Sequence, residues 1–142
     1  MKYQPRVAVT AEYAMALGYV VYSFSSLEWV IAWTIEKLAP GFLEIHPRKT
    51  AGEIGQAFES AIKSASTLPL AILSDFEISS IDFKELVDRR NALIHSVPYT
   101  GLNGEQKLHR GELDWTIEQI SDFNRDIDEY AARASKLYHS FF

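Results

Sequence analysis

Cysteine is missing from all 142 residues of this chain. That excludes disulfide staples, thiolate metal sites and a cysteine nucleophile, and it fits a reducing, cytoplasmic setting. Cations are scarce: 14 Lys and Arg stand against 19 Asp and Glu, a net charge of −5. Phosphate binding relies on clustered Lys and Arg, so a chain this acidic does not coat nucleic acid non-specifically. Any RNA contact has to be local. The histidines His46, His95, His109 and His139 are scattered, with no pair at metal-ligand spacing. No metal or other cofactor is expected. A glycine-rich phosphate loop and a nucleophile elbow are absent too. Residues Met1 to Arg6 lack the charged-then-apolar layout of a secretory signal.

Charge is nearly absent from Tyr13 to Ile35, where Glu28 stands alone. The stretch is long enough to cross a bilayer. Ser23, Ser25 and Ser26 interrupt it, however, and no comparable second segment follows. A soluble helix buried on several sides is the better reading, with no membrane partner. The apolar content of 47% and aromatic content of 13% describe one globular domain over residues 1–142, large enough to bury a core.

The first helix reads from Thr10 to Ala39 and stops at Pro40-Gly41. Tyr13, Leu17, Val20, Phe24, Leu27, Ile31, Ile35 and Leu38 recur in steps of three and four, a core face. Tyr19, Tyr22, Trp29, Val30 and Trp33 add a second apolar face. A surface helix needs one stripe, so two predict burial both in the core and against a partner chain. After a connector, Thr50 and Glu53 form a capping box. The helix that follows turns Ile54, Phe58, Ala61, Ile62 and Ala65 inward and ends near Pro69. Leu70 to Ile78 is ambiguous, with a short helical turn as one reading. Ser79 and Ser80 are candidate caps for a third helix with Asp82 in its first turn. It ends at Ser96 or Val97, because Pro98 disfavours helix before it. Residues 99–113, with three glycines and an Asn103-Gly104 turn signal, read as a loop or small hairpin. Thr116 and Gln119 open the last helix with a second capping box, and Ile120, Phe123, Ile127, Tyr130, Ala134, Leu137 and Phe141 line it. The sum is an all-α antiparallel four-helix bundle.

On the third helix Lys84, Asp88, Asn91 and His95 share one stripe. Phe83, Leu86, Val87, Leu93, Ile94 and Val97 form the opposite side. Arg90 projects from that apolar side, about 140° around the axis from His95. Two readings of Arg90 stand together. In one it pairs with Glu28 across two helices, since an isolated buried charge is costly. In the other it curls to the open end of the bundle, joining Asn91, His95 and copies from a second subunit. Imidazole titrates near working pH, so His95 can take or give a proton. A guanidinium stabilises charge growing on phosphate. Equally, a histidine at a helix end caps carbonyls, and Asn91 and Asp88 fit a solvated face.

The run Arg90-Asn91-Ala92-Leu93-Ile94-His95 resembles the motif of the HEPN family of helical domains. So do the long apolar first helix with Leu27-Glu28 and the loop just after the histidine. The resemblance implies a homodimer whose two motifs face a shared cleft, and a metal-independent endoribonuclease, often a toxin or a phage-defence component. His95 would then be general base or acid, Arg90 the phosphate stabiliser and Asn91 the orienting group, with Asp88 and Glu28 in support. Arg89, Lys107, His109 and Arg110 are the nearby candidates for RNA contacts, although Lys107 to Arg110 also reads as a solvated hairpin strand. Some HEPN domains are inactive, so the alternative is a non-catalytic binding protein, such as an antitoxin or immunity protein masking a basic toxin. The charge of −5 favours the alternative and the intact motif favours the nuclease. Carboxylates and arginines on the last helix, such as Asp122 with Arg125 and Glu129 with Arg133, have ordinary surface spacing. Trp29, Trp33 and Trp115 read as core or dimer interface rather than base-stacking platforms.

Overall fold

The first helix of the chain, α1 (Ala11–Leu38), begins where Thr10 is extended and its hydroxyl accepts the Tyr13 N–H at 3.1 Å. The computed structural model describes residues 8–65 and 67–142. The reading of Met1 to Arg6 therefore lies outside the described residues. Gly41, at φ +106°, makes the turn that ends this first arm, a left-handed conformation open to glycine. The connector is more ordered than its two prolines and glycine predict. It forms α2 (Phe42–Ile45) and a 3₁₀ turn at His46–Arg48, and it doubles back along α1 until the His46 ring lies 5.7 Å from Trp29. The capping boxes at Thr50 and Thr116 are both formed, opening α3 (Ala51–Ser64) and α5 (Ile117–Phe141).

The doubled-back connector decides the topology. α3 starts beside the middle of α1 and runs the same way, so Ala57, Ala61 and Ser64 end up next to Ile35 and Phe42. α5 also starts at the N-terminal end of α1, where the Tyr13 hydroxyl reaches Trp115. Only α4 (Leu70–Ile94) runs against the others: Phe76 meets Phe58 and Phe141, while Phe83 meets Phe24 and Tyr130. The expected all-antiparallel order is corrected to three parallel helices and one opposed. α1 packs mainly on α5 and α3; α4 packs on α3 and α5. α1 and α4 are thus diagonal, and they touch through long side chains such as the stacked Phe24 and Phe83, 6.1 Å apart.

α4 also begins about ten residues before the predicted third helix. It opens at Leu70 after Pro69, and Ser79 and Ser80 are buried inside it rather than capping it. The reason is a tertiary partner. The Tyr130 hydroxyl donates to the Ser79 carbonyl at 2.7 Å, and the Ser79 hydroxyl lies 2.8 Å from the Tyr130 hydroxyl. α3 stops at Ser64, short of the expected Pro69.

The all-α description is corrected as well. Residues 97–115 form a three-stranded antiparallel sheet, β1 (Val97–Thr100), β2 (Gln106–Arg110) and β3 (Leu113–Trp115), in the order β1-β2-β3. Asn103-Gly104 does sit in the β1–β2 turn, where Gly104 has φ +79°. The sheet is fastened to the bundle by one hydroxyl. Tyr13 accepts the Leu108 N–H at 2.8 Å and donates to the Trp115 carbonyl at 2.6 Å. Leu108 and Trp115 are cross-strand partners, so Tyr13 holds β2 and β3 together.

Tyr13→Phe removes this clamp and leaves two partly buried backbone groups to re-pair. It should cost about 2 kcal/mol, read as a lower urea midpoint, with faster exchange of the Leu108 amide. An unchanged midpoint would show that the sheet is held by other means.

Candidate functional site

The Arg-Asn-His run occupies the last turn and a half of α4. His95 is the C-cap, at φ −91° and ψ 8°, and its N–H donates to the Asn91 carbonyl at 3.0 Å. The Ser96 hydroxyl donates to the Ala92 carbonyl, so the helix is closed by its own side chains before Pro98. The His95 ring is exposed, and the 97–115 sheet does not cover it.

Arg90 points elsewhere. Its guanidinium donates to the Asn91 Oδ1 at 3.2 Å and lies over the Phe24 ring, 5.3 Å from the centroid. It borders a groove of about 320 Å³ between α1 and the end of α4, lined by Leu17, Val20, Val21, Phe24, Ile94 and Leu108 among others. The groove exists because α3 is 14 residues long beside neighbours of 28 and 25. Above the start of α3 nothing fills the gap between the diagonal helices. The structure therefore brings Arg90 and Asn91 together and leaves His95 on the other side of the helix, as the helical spacing predicts. Asp88 is exposed on the His95 side.

The expected Arg90–Glu28 ion pair is not formed: among the described residues no carboxylate lies within 4 Å of Arg90. Glu28 sits further off, half-buried. Burial raises its pKa, and the more distant positive charge of Arg90 pulls it back only in part. Van der Waals contact and an amide oxygen hold Arg90 instead.

Several of the other cations are tied down. Arg89 was a candidate for RNA contact, but it binds Asp126 at 2.9 Å and stacks over Phe123. Lys107 is held by Asp114 at 3.1 Å and Glu105 at 3.5 Å, which raise its pKa. His109 packs against Tyr99, ring centroids 4.7 Å apart. Arg110 is exposed at the end of β2. Lys49 and Lys84 pair with Glu53 and Glu59. Arg133, expected to pair with Glu129, reaches Asp82 on α4 instead. Arg90 is thus the one cation, among the described residues, that is partly buried and has no carboxylate within 4 Å. No three His, Asp or Glu side chains cluster as metal ligands do among those residues. The groove itself was missed in the sequence. Its signal was the short apolar run of α3, readable only once the diagonal packing is known.

Comparison with protein-family models, with curated proteins and with solved structures found nothing that matches this chain.

Glu28 makes a pH-dependent prediction. A carboxyl whose folded pKa is raised leaves the fold unpenalised below the ordinary carboxylate range and destabilises it as pH rises through the raised value. Glu28→Gln should therefore melt above wild type at pH 7.5, with the gap closing as pH falls to 4. A constant gap across that range would mean that burial of the charge is not the cause.

Proposed function

We propose that this chain is a HEPN-type, metal-independent endoribonuclease that works in the cytoplasm as a pair of chains. The observation that carries this reading is Arg90, a partly buried guanidinium with an amide oxygen in place of a carboxylate partner. Keeping such a charge beside an apolar groove is costly unless an anion arrives. A phosphodiester supplies that anion, and a guanidinium has donors left after the one given to Asn91.

In this reading His95 takes the proton of a ribose 2′-OH. The 2′ oxygen attacks the adjacent phosphorus, Arg90 stabilises the charge that builds on the phosphoryl oxygens, and the bond to the 5′ oxygen breaks. The 5′ oxygen takes up a proton from water and His95 returns its own to solvent, leaving a 2′,3′-cyclic phosphate and a 5′-hydroxyl. Asn91 orients Arg90. Because His95 and Arg90 leave α4 on different sides, one phosphate draws on residues from two chains. A toxin or phage-defence role follows from the family resemblance.

One observation favours a second reading. Arg89 and Lys107 are neutralised by Asp126, Glu105 and Asp114, so little basic surface surrounds Arg90. A non-catalytic binding protein of antitoxin or immunity type, which masks a basic toxin, needs no such surface.

Purified wild type in EDTA should cut unstructured RNA and leave cyclic phosphate ends. His95→Ala should lower the rate by about 10²–10⁴-fold, with its circular dichroism unchanged. Arg90→Lys should also lose most activity, because an ammonium lacks the rigid fork of donors. Equal cleavage by wild type and His95→Ala would sink the nuclease, and an inert wild type would turn attention to a protein partner.

A further inference from the structure

The core of α1 accounts for only one of its faces. On the opposite side Met15, Tyr19, Tyr22, Ser26, Trp29 and Trp33 follow one another in steps of four and three, the seven-residue repeat that lets one helix pack along another. All five large side chains are 37% to 76% exposed, Tyr22 the most. The connector reaches only the end of this face, where His46 meets Trp29.

We propose that this face is a self-pairing surface, on which a second copy of this chain lays its own α1 antiparallel, centred at the level of Phe24. The charge pattern selects an apolar occupant. From Tyr13 to Ile35 the sole charge is Glu28, which lies about 140° around the helix from the stripe. Neither a basic partner nor a phosphate backbone finds a complement on it. The area is sufficient. At about 200 Å² for a whole large side chain the five residues expose roughly 560 Å², so two copies would bury about 1,100 Å², just above the roughly 1,000 Å² a specific interface needs to clear.

Antiparallel pairing follows from shape and charge. It sets Met15 against Trp33, Tyr19 against Trp29 and Tyr22, the most exposed ring, against the small Ser26. A parallel pair would face Ser26 with Ser26 and leave a hole. It would also stack Glu12 on Glu12 and Lys37 on Lys37, whereas the antiparallel pair brings Lys37 to within one residue of the level of Glu12. Glu36, at that same level, is occupied by the Gly41 and Leu43 amides. Opposed helix dipoles add to the preference. Arg90 lies over Phe24, on the side of α1 away from the stripe, so this pairing leaves the Arg90 groove of each chain open. The pairing itself stands on α1 alone: a dimer that cuts no RNA leaves it intact and removes only the nuclease.

Sedimentation velocity at micromolar concentration tests it, beside flotation with neutral and anionic liposomes. Wild type should sediment at twice the 16.1 kDa chain mass. Tyr22→Asp, a change at an exposed position, should raise the dimer dissociation constant by about a hundredfold with unchanged helicity. The chain has no cysteine of its own, so introduced thiols report register. Met15→Cys mixed with Trp33→Cys should cross-link, while Met15→Cys alone should not. A monomeric wild type, a Tyr22→Asp dimer of undiminished affinity, a cross-link within Met15→Cys alone, or a monomer that floats with liposomes would each overturn the proposal.

Discussion

Everything in this fold takes its height from an aromatic stack at the waist. Phe83 on α4 lies between Phe24 of α1 and Tyr130 of α5, with ring centroids 6.1 Å and 6.3 Å away. Tyr130 is locked in turn by its hydrogen bond to the Ser79 carbonyl, one helical turn before Phe83. Burial raises the Tyr130 pKa, so the phenol stays a donor. Each ring pair is worth about 0.5–1.5 kcal/mol beyond its buried area. The geometric consequence is larger than the energetic one. Arg90 follows Phe83 by seven residues, two turns and about 10 Å along the same face. Once Phe83 is stacked on Phe24, the Arg90 side chain has to lie against the other end of that same ring, at the foot of the groove.

The distribution of charge then separates Arg90 from the rest. With five more acids than bases, this chain has carboxylates to spare for its cations. Lys84 bridges α4 to α3, Arg89 and Arg133 bridge α4 to α5, and Lys107 bridges the sheet. Most of these pairs are exposed enough to contribute little stability singly, yet each occupies a cation that would otherwise be open to phosphate. Glu28 is the acid near enough to do the same for Arg90. It is displaced along α1 and made reluctant to ionise by its own burial. An arginine kept from its natural counter-ion, in a protein rich in counter-ions, is the clearest electrostatic irregularity in the molecule.

Helix ends carried by local chemistry were legible in the sequence. Thr50 and Thr116 each cap where their side chains predict, because a cap involves only a few neighbouring residues. The core faces of α1, α3 and α5 were legible for the same reason, since their periodicity is unbroken. What failed depended on distant partners. Ser79 and Ser80 look like a helix start until Tyr130 supplies a reason to bury them inside one. The small hairpin around Asn103-Gly104 was legible, but its third strand and its docking were not, being held by Tyr13, more than eighty residues earlier. The parallel course of α1 and α3 hangs on how far Phe42 to Arg48 folds back. At the candidate site, the angular separation of Arg90 and His95 was legible, being pure helix geometry. The missing ion pair to Glu28 was not, because it depends on the axial offset between two helices.

That separation bears on how the site would work. A helix is about 10 Å across with its side chains, and Arg90 and His95 leave it on sides about 140° apart. Rotamer changes in one chain bring Arg90 around the rim of α4 only by breaking its bond to Asn91 and leaving Phe24. Association instead lets each residue keep its place while a second chain supplies the missing half. A ribonuclease built in this way would be silent when dilute and active when paired, with no lid and no bound regulator. The acidic surface has a matching consequence. Lacking a broad field to draw in RNA, such an enzyme would depend on the local geometry at Arg90 for its choice of phosphate, and would act on strands flexible enough to reach it.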